Sequence, residues 1–340
     1  MNKFSIIIPV RTINDYLKKN IIEIKNLDYQ NFEVIIVVDF DVNYEFNDDR
    51  FKIIVSNTKN NSPGEKRNLG ASVSTGNILA FLDDDAYPHF DWLSKANKVF
   101  EQNPDIYALG SPALTPKESP ILQRASGRIL ESYLASGFTR YRHFPMPQRV
   151  IGDYPTVNLF IKKYAFNEIN GFDTNVWPGE DTKICLDLKR HFKKEFLYHP
   201  DPKVIHHRRS LFIPHLQQIS RYALHRGYFA KIYKDTSLRP SYFIPSLFLS
   251  GLVFGLILSL IFPIFFYLYF LVLVLYIFIL IIESLKVLER DKNIFMPFLF
   301  IIGTFLTHVF YGINFIKGLL KEPRLELRPI DEQTGNYLGG

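Results

Sequence analysis

Forty consecutive positions, residues 243 to 282, carry no charged side chain. As helix, at about 1.5 Å per residue, they would run about 60 Å, roughly twice the hydrocarbon thickness of a bilayer. No soluble core needs so long an uncharged run, so it reads as two membrane spans, 243–262 and 264–282, joined near Pro263. After a charged break, "ESLKVLERDKN", a third apolar run covers 294–316 and ends at Lys317. The chain divides accordingly into a globular domain over 1–210, an amphipathic interface region over 211–240, a membrane region over 241–317 and a polar tail over 318–340.

Basic residues up to Arg239 and the basic loop 283–293 favour the cytoplasmic side, giving a multi-pass protein of the cell membrane with its N-terminal domain in the cytoplasm. Three spans would then put Lys317, Lys321, Arg324 and Arg328 on the far side, against the positive-inside rule. One of the three segments is therefore expected to be re-entrant or to lie flat. The net charge of +6 is too small and dispersed for nucleic acid, but suits anionic phosphates or lipid headgroups. Cys185 is the single cysteine, which excludes an internal disulfide and a cysteine-based zinc site and fits a reducing compartment. The opening "MNKFSIIIPV" reads as a first strand rather than a signal peptide.

Within the globular part, "FSIIIPV", "FEVIIVVDF", "FKIIVS", "NILAFLDDD" and "IYALGSP" are continuous apolar runs. Continuous rather than alternating patterns are those of parallel strands covered by helices on both faces. Helical spacing lies between them, with start signals at Asn14 and Asp15, at Ser62 followed by Pro63, and at Asp91. The order predicts a doubly wound α/β domain, in which ligands bind beyond the carboxyl ends of the strands. Those ends offer Pro9, Val10 and Arg11, then Asp39 and Asp41, then Asp83, Asp84 and Asp85. No GxGxxG follows the first strand, so a dinucleotide cradle is missing.

Three constellations carry chemistry. Carboxylates at a strand end can hold a hard divalent cation that bridges to phosphate oxygens; in an extended chain Asp83 and Asp85 would converge while Asp84 points elsewhere. Acidic loops are common, so the triplet gains weight mainly from following "ILAFL". In "NVWPGEDTKICLDLKRHF", Glu180 and Asp181 open a helix, where a carboxylate either caps the dipole or serves as a general base, and Trp177 offers a stacking face for a sugar ring. In "VIHHRRSLF", His206 or His207 is a candidate metal ligand or phosphate contact beside Arg208 and Arg209. The helix that follows mixes apolar residues with Arg221, His225, Arg226, Lys231 and Lys234, a composition suited to a membrane interface or to an ordinary amphipathic surface.

"SIIIPVRT", "VIIVVDF", "SPGEKRNLGASVSTGNILAFLDDDA", "NLFIKKYAFNEINGFD" and "GED" occur in the order and spacing of family 2 glycosyltransferases, and the chain resembles that family over about residues 4 to 233. The resemblance implies a GT-A fold and an inverting, metal-dependent transferase using a nucleotide-diphosphate sugar, with a UDP-sugar favoured. It also implies Pro9, Arg11 and Asp39 around the nucleoside with Lys66 and Arg67 nearby. Asp83 and Asp85 form the DxD pair on Mn²⁺ or Mg²⁺, joined by a histidine for which His207 is chosen, and Asp84 faces the donor sugar. Asp181 is the base, paired with Glu180, and Arg208, Arg209 and Arg221 grip the diphosphate. "QISRY" resembles the QxxRW motif of processive members such as cellulose synthases, with Gln218 and Arg221 in place and Tyr222 for the tryptophan. Trp177 and Tyr222 then face the acceptor. The implied acceptor is lipid-linked, a polyprenyl or dolichyl phosphate or a lipid-linked saccharide, in glycan or surface polysaccharide biosynthesis. The alternatives are a processive synthase, a metal-dependent nucleotidyltransferase releasing pyrophosphate, and an inactive membrane scaffold; a homo-oligomer is left open.

Overall fold

The computed structural model describes residues 1–56 and 62–322. In chain order it runs β1 (Phe4–Pro9), α1 (Asp15–Lys25), β2 (Phe32–Val38), β3 (Phe51–Val55), α2 (Pro63–Val73), β4 (Ile78–Leu82), β5 (Ala86–Pro88), α3 (Trp92–Gln102), β6 (Ala108–Gly110) and β7 (Ala113–Leu114). Then come α4 (Ile121–Glu131), α5 (Tyr133–Ser136), a 3-10 helix (Gly137–Arg142), β8 (Arg149–Ile151), β9 (Asn158–Lys162), α6 (Lys163–Glu168), α7 (Glu180–Phe192), β10 (Phe196–Tyr198) and β11 (Val204–His206). The last elements are α8 (Ile213–Ile232), α9 (Lys234–Ser237), α10 (Pro240–Ile261), α11 (Pro263–Asp291) and α12 (Met296–Leu320). Two compact units result, one from Met1–Leu114 with Phe144–His206, the other from Thr115–His143 with residues 207–322. The segment Thr115–His143, which the sequence reading kept with the N-terminal domain, thus packs with the C-terminal helices.

The first unit is an eight-stranded sheet of order β3-β2-β1-β4-β9-β6-β10-β8 and a three-stranded sheet of order β5-β11-β7. β3, β2, β1 and β4 pair in parallel, β9 runs antiparallel to β4 and β6, and β8 is antiparallel to β10. Every residue of β1, β2 and β4 is buried, because helices cover both faces. Ile6, Ile7 and Ile8 have no exposed surface, and burying each contributes about 1.5–3 kcal/mol. Helix starts follow their signals: Asn14 accepts from Leu17 N at 2.8 Å, and Ser62 forms a capping box with Glu65 ahead of Pro63 at N1. Asp91 occupies the N-cap of α3 but bonds His89 and Lys95 instead of the helix backbone.

The second unit is helical. Three of its helices, α10, α11 and α12, are long and apolar enough to cross a membrane. Glycines let helices approach backbone to backbone: a Cβ on Gly227 would lie 2.2 Å from Phe315 O, and one on Gly318 would lie 2.0 Å from Leu224 O, so α8 and α12 touch where no larger residue fits. Residues 323–340, most of the expected polar tail with Arg324 and Arg328, lie outside the described residues.

Candidate active site

The carboxyl edge of the large sheet is assembled from β1, β2, β4 and the first turn of α2. Asp39 follows β2, with 1% of its side chain exposed, and Lys66 Nζ contacts its Oδ1 while donating to Val10 O at 2.9 Å. Arg11 Nε lies 3.9 Å from Asp39 Oδ2, and Asp39 N donates to Arg11 O at 3.0 Å, which fixes the two strand ends together. Burial pushes the Lys66 ammonium below its ordinary pKa, and the Asp39 carboxylate opposes that shift. Pro9, the last residue of β1, is buried beside them.

One residue on, Arg67 reaches the other way. Its NH2 donates to Asp83 Oδ1 at 2.9 Å and its NH1 to Glu180 Oε1 at 3.0 Å, while its guanidinium stands over the Phe172 ring at 5.7 Å. Only 4% of the Arg67 side chain is exposed. The capped N-terminus of α2 thus places two cations, Lys66 and Arg67, against two separate groups of carboxylates. The motif "EKR" ties the β2 end, the triplet and the start of α7 into one edge.

The triplet does not extend the strand. β4 stops at Leu82, and Ala86 N donates to Asp83 O at 3.1 Å, closing a tight turn over residues 83–86. Strand pleating therefore does not govern where the carboxylates point; the turn sends each to its own partner. Asp83 meets Arg67, Asp84 Oδ2 accepts from Asn14 Nδ2 at 2.5 Å, and Asp85 Oδ1 lies 3.1 Å from His206 Nε2. Burial, reinforced by repulsion from Asp85 and Asp83 and opposed by the Asn14 bond, pushes Asp84 up to about 6.

Past the turn the chain enters β5, which pairs antiparallel with β11 so that Ala86 stands opposite His206. That pairing brings His206 to Asp85 across more than a hundred residues of sequence. His206 closes the first unit; His207 belongs to the second. An imidazole and a carboxylate this close are two donors that a divalent cation could share, the carboxylate oxygen being the one that suits Mg²⁺ or Mn²⁺. Among the described residues no three His, Cys, Asp or Glu side chains converge on one point, so a cation at Asp85 and His206 would complete its shell with phosphate oxygens and water, as Mg²⁺ and Mn²⁺ sites on phosphate substrates do.

The second carboxylate pair stands at the start of α7. Gly179 takes φ 110°, a conformation that favours glycine, and the helix begins directly after it. Glu180 is buried and held by Arg67; Asp181 is half-buried and accepts from Thr182 N at 2.7 Å. Thr182 donates in turn to the buried Asp153 at 3.3 Å. The two carboxylates are thereby separated by role, one an ion-pair anchor and the other at the helix N-terminus with part of its surface open. Trp177, two residues before Gly179, is half-buried.

The remaining expected residues lie in the second unit. Arg208 is buried and its Nε donates to Thr115 Oγ1 at 3.2 Å, whereas Arg209 is exposed. Gln218, Arg221 and Tyr222 sit on α8, where Gln218 Nε2 donates to Tyr222 OH at 3.0 Å and Arg221 is exposed. Two site residues escaped the sequence reading in their full role. Asn14 reads as a helix cap but also holds Asp84, and the fully buried Asn20, whose Nδ2 donates to Asp83 O at 3.4 Å, leaves no local signal beyond a polar residue on an apolar helix face.

A mostly parallel sheet with acidic and basic side chains gathered at its carboxyl edge defines an α/β domain of the GT-A type. Residues 5–169 match the model of the family described as glycosyl transferase family 2, so this segment is similar to the domain that defines that family. It is similar to the glucosyl-dolichyl phosphate glucuronosyltransferase of Haloferax volcanii, with 26% identity over 191 residues, covering 52% of this chain and 60% of that protein. It is also similar to the GalNAc(5)-diNAcBac-PP-undecaprenol beta-1,3-glucosyltransferase of Campylobacter jejuni subsp. jejuni, with 28% identity over 142 residues, covering 38% and 44%. In fold it matches the mannosyltransferase PcManGT from Pyrobaculum calidifontis, solved in complex with GDP-Man and Mn²⁺, at a TM-score of 0.50 and 15% identity, over 68% of this chain and 64% of that one. The chain spans less than two thirds of the length of each of these three proteins.

Proposed function

We propose that the carboxyl edge of the large sheet binds a nucleotide-diphosphate sugar with a divalent cation, and that the protein transfers the sugar to a lipid-linked acceptor with inversion. The observation that carries this reading is Arg67, which bridges Asp83 in the turn after β4 to Glu180 at the start of α7. One buried cation therefore sets the distance between the turn that meets a diphosphate and the helix that presents a base. Relatives named for glucosyl-dolichyl phosphate and undecaprenol-linked substrates support a lipid-borne acceptor, and helices able to enter a membrane bring the chain to it.

In this reading Arg11 and Asp39 line the nucleoside pocket, with Lys66 buried behind them. Asp85 and His206 hold the cation, Mn²⁺ or Mg²⁺, which when bound offsets charge developing on the departing diphosphate. Asp181 accepts the proton of the acceptor hydroxyl as that oxygen bonds to the anomeric carbon. The bond from that carbon to the diphosphate oxygen breaks, and its electron pair leaves with the nucleoside diphosphate. Trp177 is assigned to the acceptor side, and a UDP-sugar is the donor of choice.

Full-length protein in membranes, given UDP-, GDP- and dTDP-sugars with polyprenyl phosphate or a lipid-linked saccharide, tests the proposal. A glycosylated lipid and a free nucleoside diphosphate are expected, and Asp181→Asn lowers turnover about 10²–10⁴-fold. Pyrophosphate as product would instead make the protein a nucleotidyltransferase. Full activity in Asp181→Asn would remove the base from that position.

A further inference from the structure

The three apolar helices are not equivalent. Against the rest of the chain, 11% of the most apolar stretch of α10 and 6% of that of α11 is buried, but 39% of that of α12 is. α10 and α11 form an antiparallel hairpin joined by Phe262 alone, with Tyr269 packed on the Gly255 position and the Phe248 ring tilted against Tyr276 at 4.6 Å between centroids. The level of that pair can be counted from the charged ends. Phe248 is nine residues past Arg239 and Tyr276 seven before Glu283, so the two lie about 13 Å and about 10 Å into the apolar part of the hairpin. The two charged boundaries are therefore level with each other.

α12 can be placed on the same scale. It begins outside the apolar layer: Met296 and Phe300 pack with Val287, which lies past Glu283, and with Ala125 and Ile129 of α4 and Leu211. At its middle His308 meets the Phe248 and Tyr276 rings, with Tyr276 OH 3.0 Å from His308 Nδ1, while its Nε2 bonds Leu134 O of α5 at 2.8 Å. Beyond that point α12 returns toward the boundary. Gly312 lies against Pro245, and Phe315 meets Phe243 edge-to-face at 4.8 Å between centroids, with Phe243 only four residues past Arg239. Its last turns run parallel to α8: His215 bonds Thr307, Ser220 bonds Asn314, Gly318 touches Leu224, and Tyr228 OH donates to Glu322 at 2.8 Å. α8 carries Arg221, His225, Arg226 and Lys231, a load no spanning helix would take through hydrocarbon without cost.

Both ends of α12 thus stand at the level where α10 begins and α11 ends, and its deepest residue, His308, reaches about 10 Å into the apolar layer. We infer that α10 and α11 alone carry the chain into the bilayer as a hairpin, and that α12 lies obliquely in the adjoining leaflet without crossing. Lys317, Lys321 and Glu322 then emerge on the side from which α10 departs, which removes the conflict with the positive-inside rule that three crossings create. The outward side chains Phe298, Ile302, Phe305 and Phe310 face acyl chains of that leaflet. This inference is independent of the sugar-transfer reading.

Single-cysteine reporters in the full-length protein decide it. Lys234→Cys marks the side from which α10 departs, Lys321→Cys follows α12, and Phe262→Cys marks the hairpin tip; the buried native Cys185 gives the background in the parent. In sealed vesicles of both orientations, a membrane-impermeant maleimide is expected to label Lys234→Cys and Lys321→Cys from the same side, and never Phe262→Cys from that side. A C-terminal peptide tag, digested by protease added outside the same vesicles, reports the side independently of thiol reactivity. Labelling or tag digestion from the side opposite Lys234→Cys would show that α12 crosses and would overturn the inference.

Discussion

The two ends of strand β2 each carry a buried carboxylate, and the two carboxylates are held by different chemistry. At the amino end, Glu33 accepts from Thr75 N at 2.5 Å, from Thr75 Oγ1 at 2.7 Å and from Ser5 Oγ at 2.7 Å, with the half-exposed Lys52 at 3.4 Å. Neutral donors fixed by backbone satisfy the charge, and nothing remains for a ligand to do. At the carboxyl end, Asp39 is met by the buried Lys66 and by Arg11, while Arg67 turns to Asp83 and Glu180. That end holds whole charges of both signs close together, an arrangement that an anionic diphosphate and its cation can enter by exchanging partners. Buried ion pairs contribute little net stability, so their concentration at one edge points to binding rather than folding.

Breaking each end should give different signatures. The largest effect is expected from Asp39→Ala, which leaves the Lys66 ammonium buried with only the Val10 carbonyl; the loss is about 3–5 kcal/mol in urea unfolding of the detergent-solubilised protein. Adding Lys66→Met should recover most of it. If the double variant is no more stable than the single, the pair is not what holds that end.

Next comes acid. Burial raises the Glu33 pKa, but the Thr75, Ser5 and Lys52 hydrogen bonds more than offset it and bring it down to about 2. A carboxyl held below its unfolded value stabilises the fold above that unfolded value, and the stability is lost as pH falls from about 4.5 through about 2, for a total of about 3 kcal/mol. Glu33→Gln should lack this component of the acid limb, and an unchanged limb would assign the acid sensitivity elsewhere.

Gly76→Ala probes the same end sterically. A Cβ there meets Ser5 Oγ at 2.6 Å and Lys3 O at 2.7 Å, so thermal unfolding should register a loss of about 1–3 kcal/mol. The smallest effect belongs to Lys52→Met. Half of the Lys52 side chain is exposed, and its removal should cost under about 1 kcal/mol; a larger loss would mean that charge, and not the neutral donors, holds Glu33.

Much of this contrast was legible in the sequence. The continuous apolar runs give the parallel strands, and the "DDD" and "GED" carboxylates fall at a strand end and a helix start because both signals are local. What was not legible depends on partners far along the chain. The turn at Asp83–Ala86 replaces the extended geometry that the triplet alone suggests. β5 has no signal of its own because its strand partner, β11, lies over a hundred residues away, and the same pairing brings His206 to Asp85 where the family resemblance pointed to His207. Arg67 as the bridge to Glu180 has no sequence signal either, since 113 residues separate the two. The segment Thr115–His143 joins the C-terminal helices through Leu211, Met296 and Phe300, contacts that no periodicity reports.

The central claim is that the carboxyl end of the sheet, and not merely this fold, receives the donor. Thermal unfolding of the full-length protein with UDP- and GDP-sugars, with and without Mn²⁺, tests it directly, because a ligand at 100 times its Kd stabilises by about 2.7 kcal/mol. The wild type and Glu33→Gln should both show a metal-dependent rise in Tm with at least one nucleotide sugar, and Asp85→Asn should not. An equal rise in Asp85→Asn, or no rise with any nucleotide sugar, would contradict it.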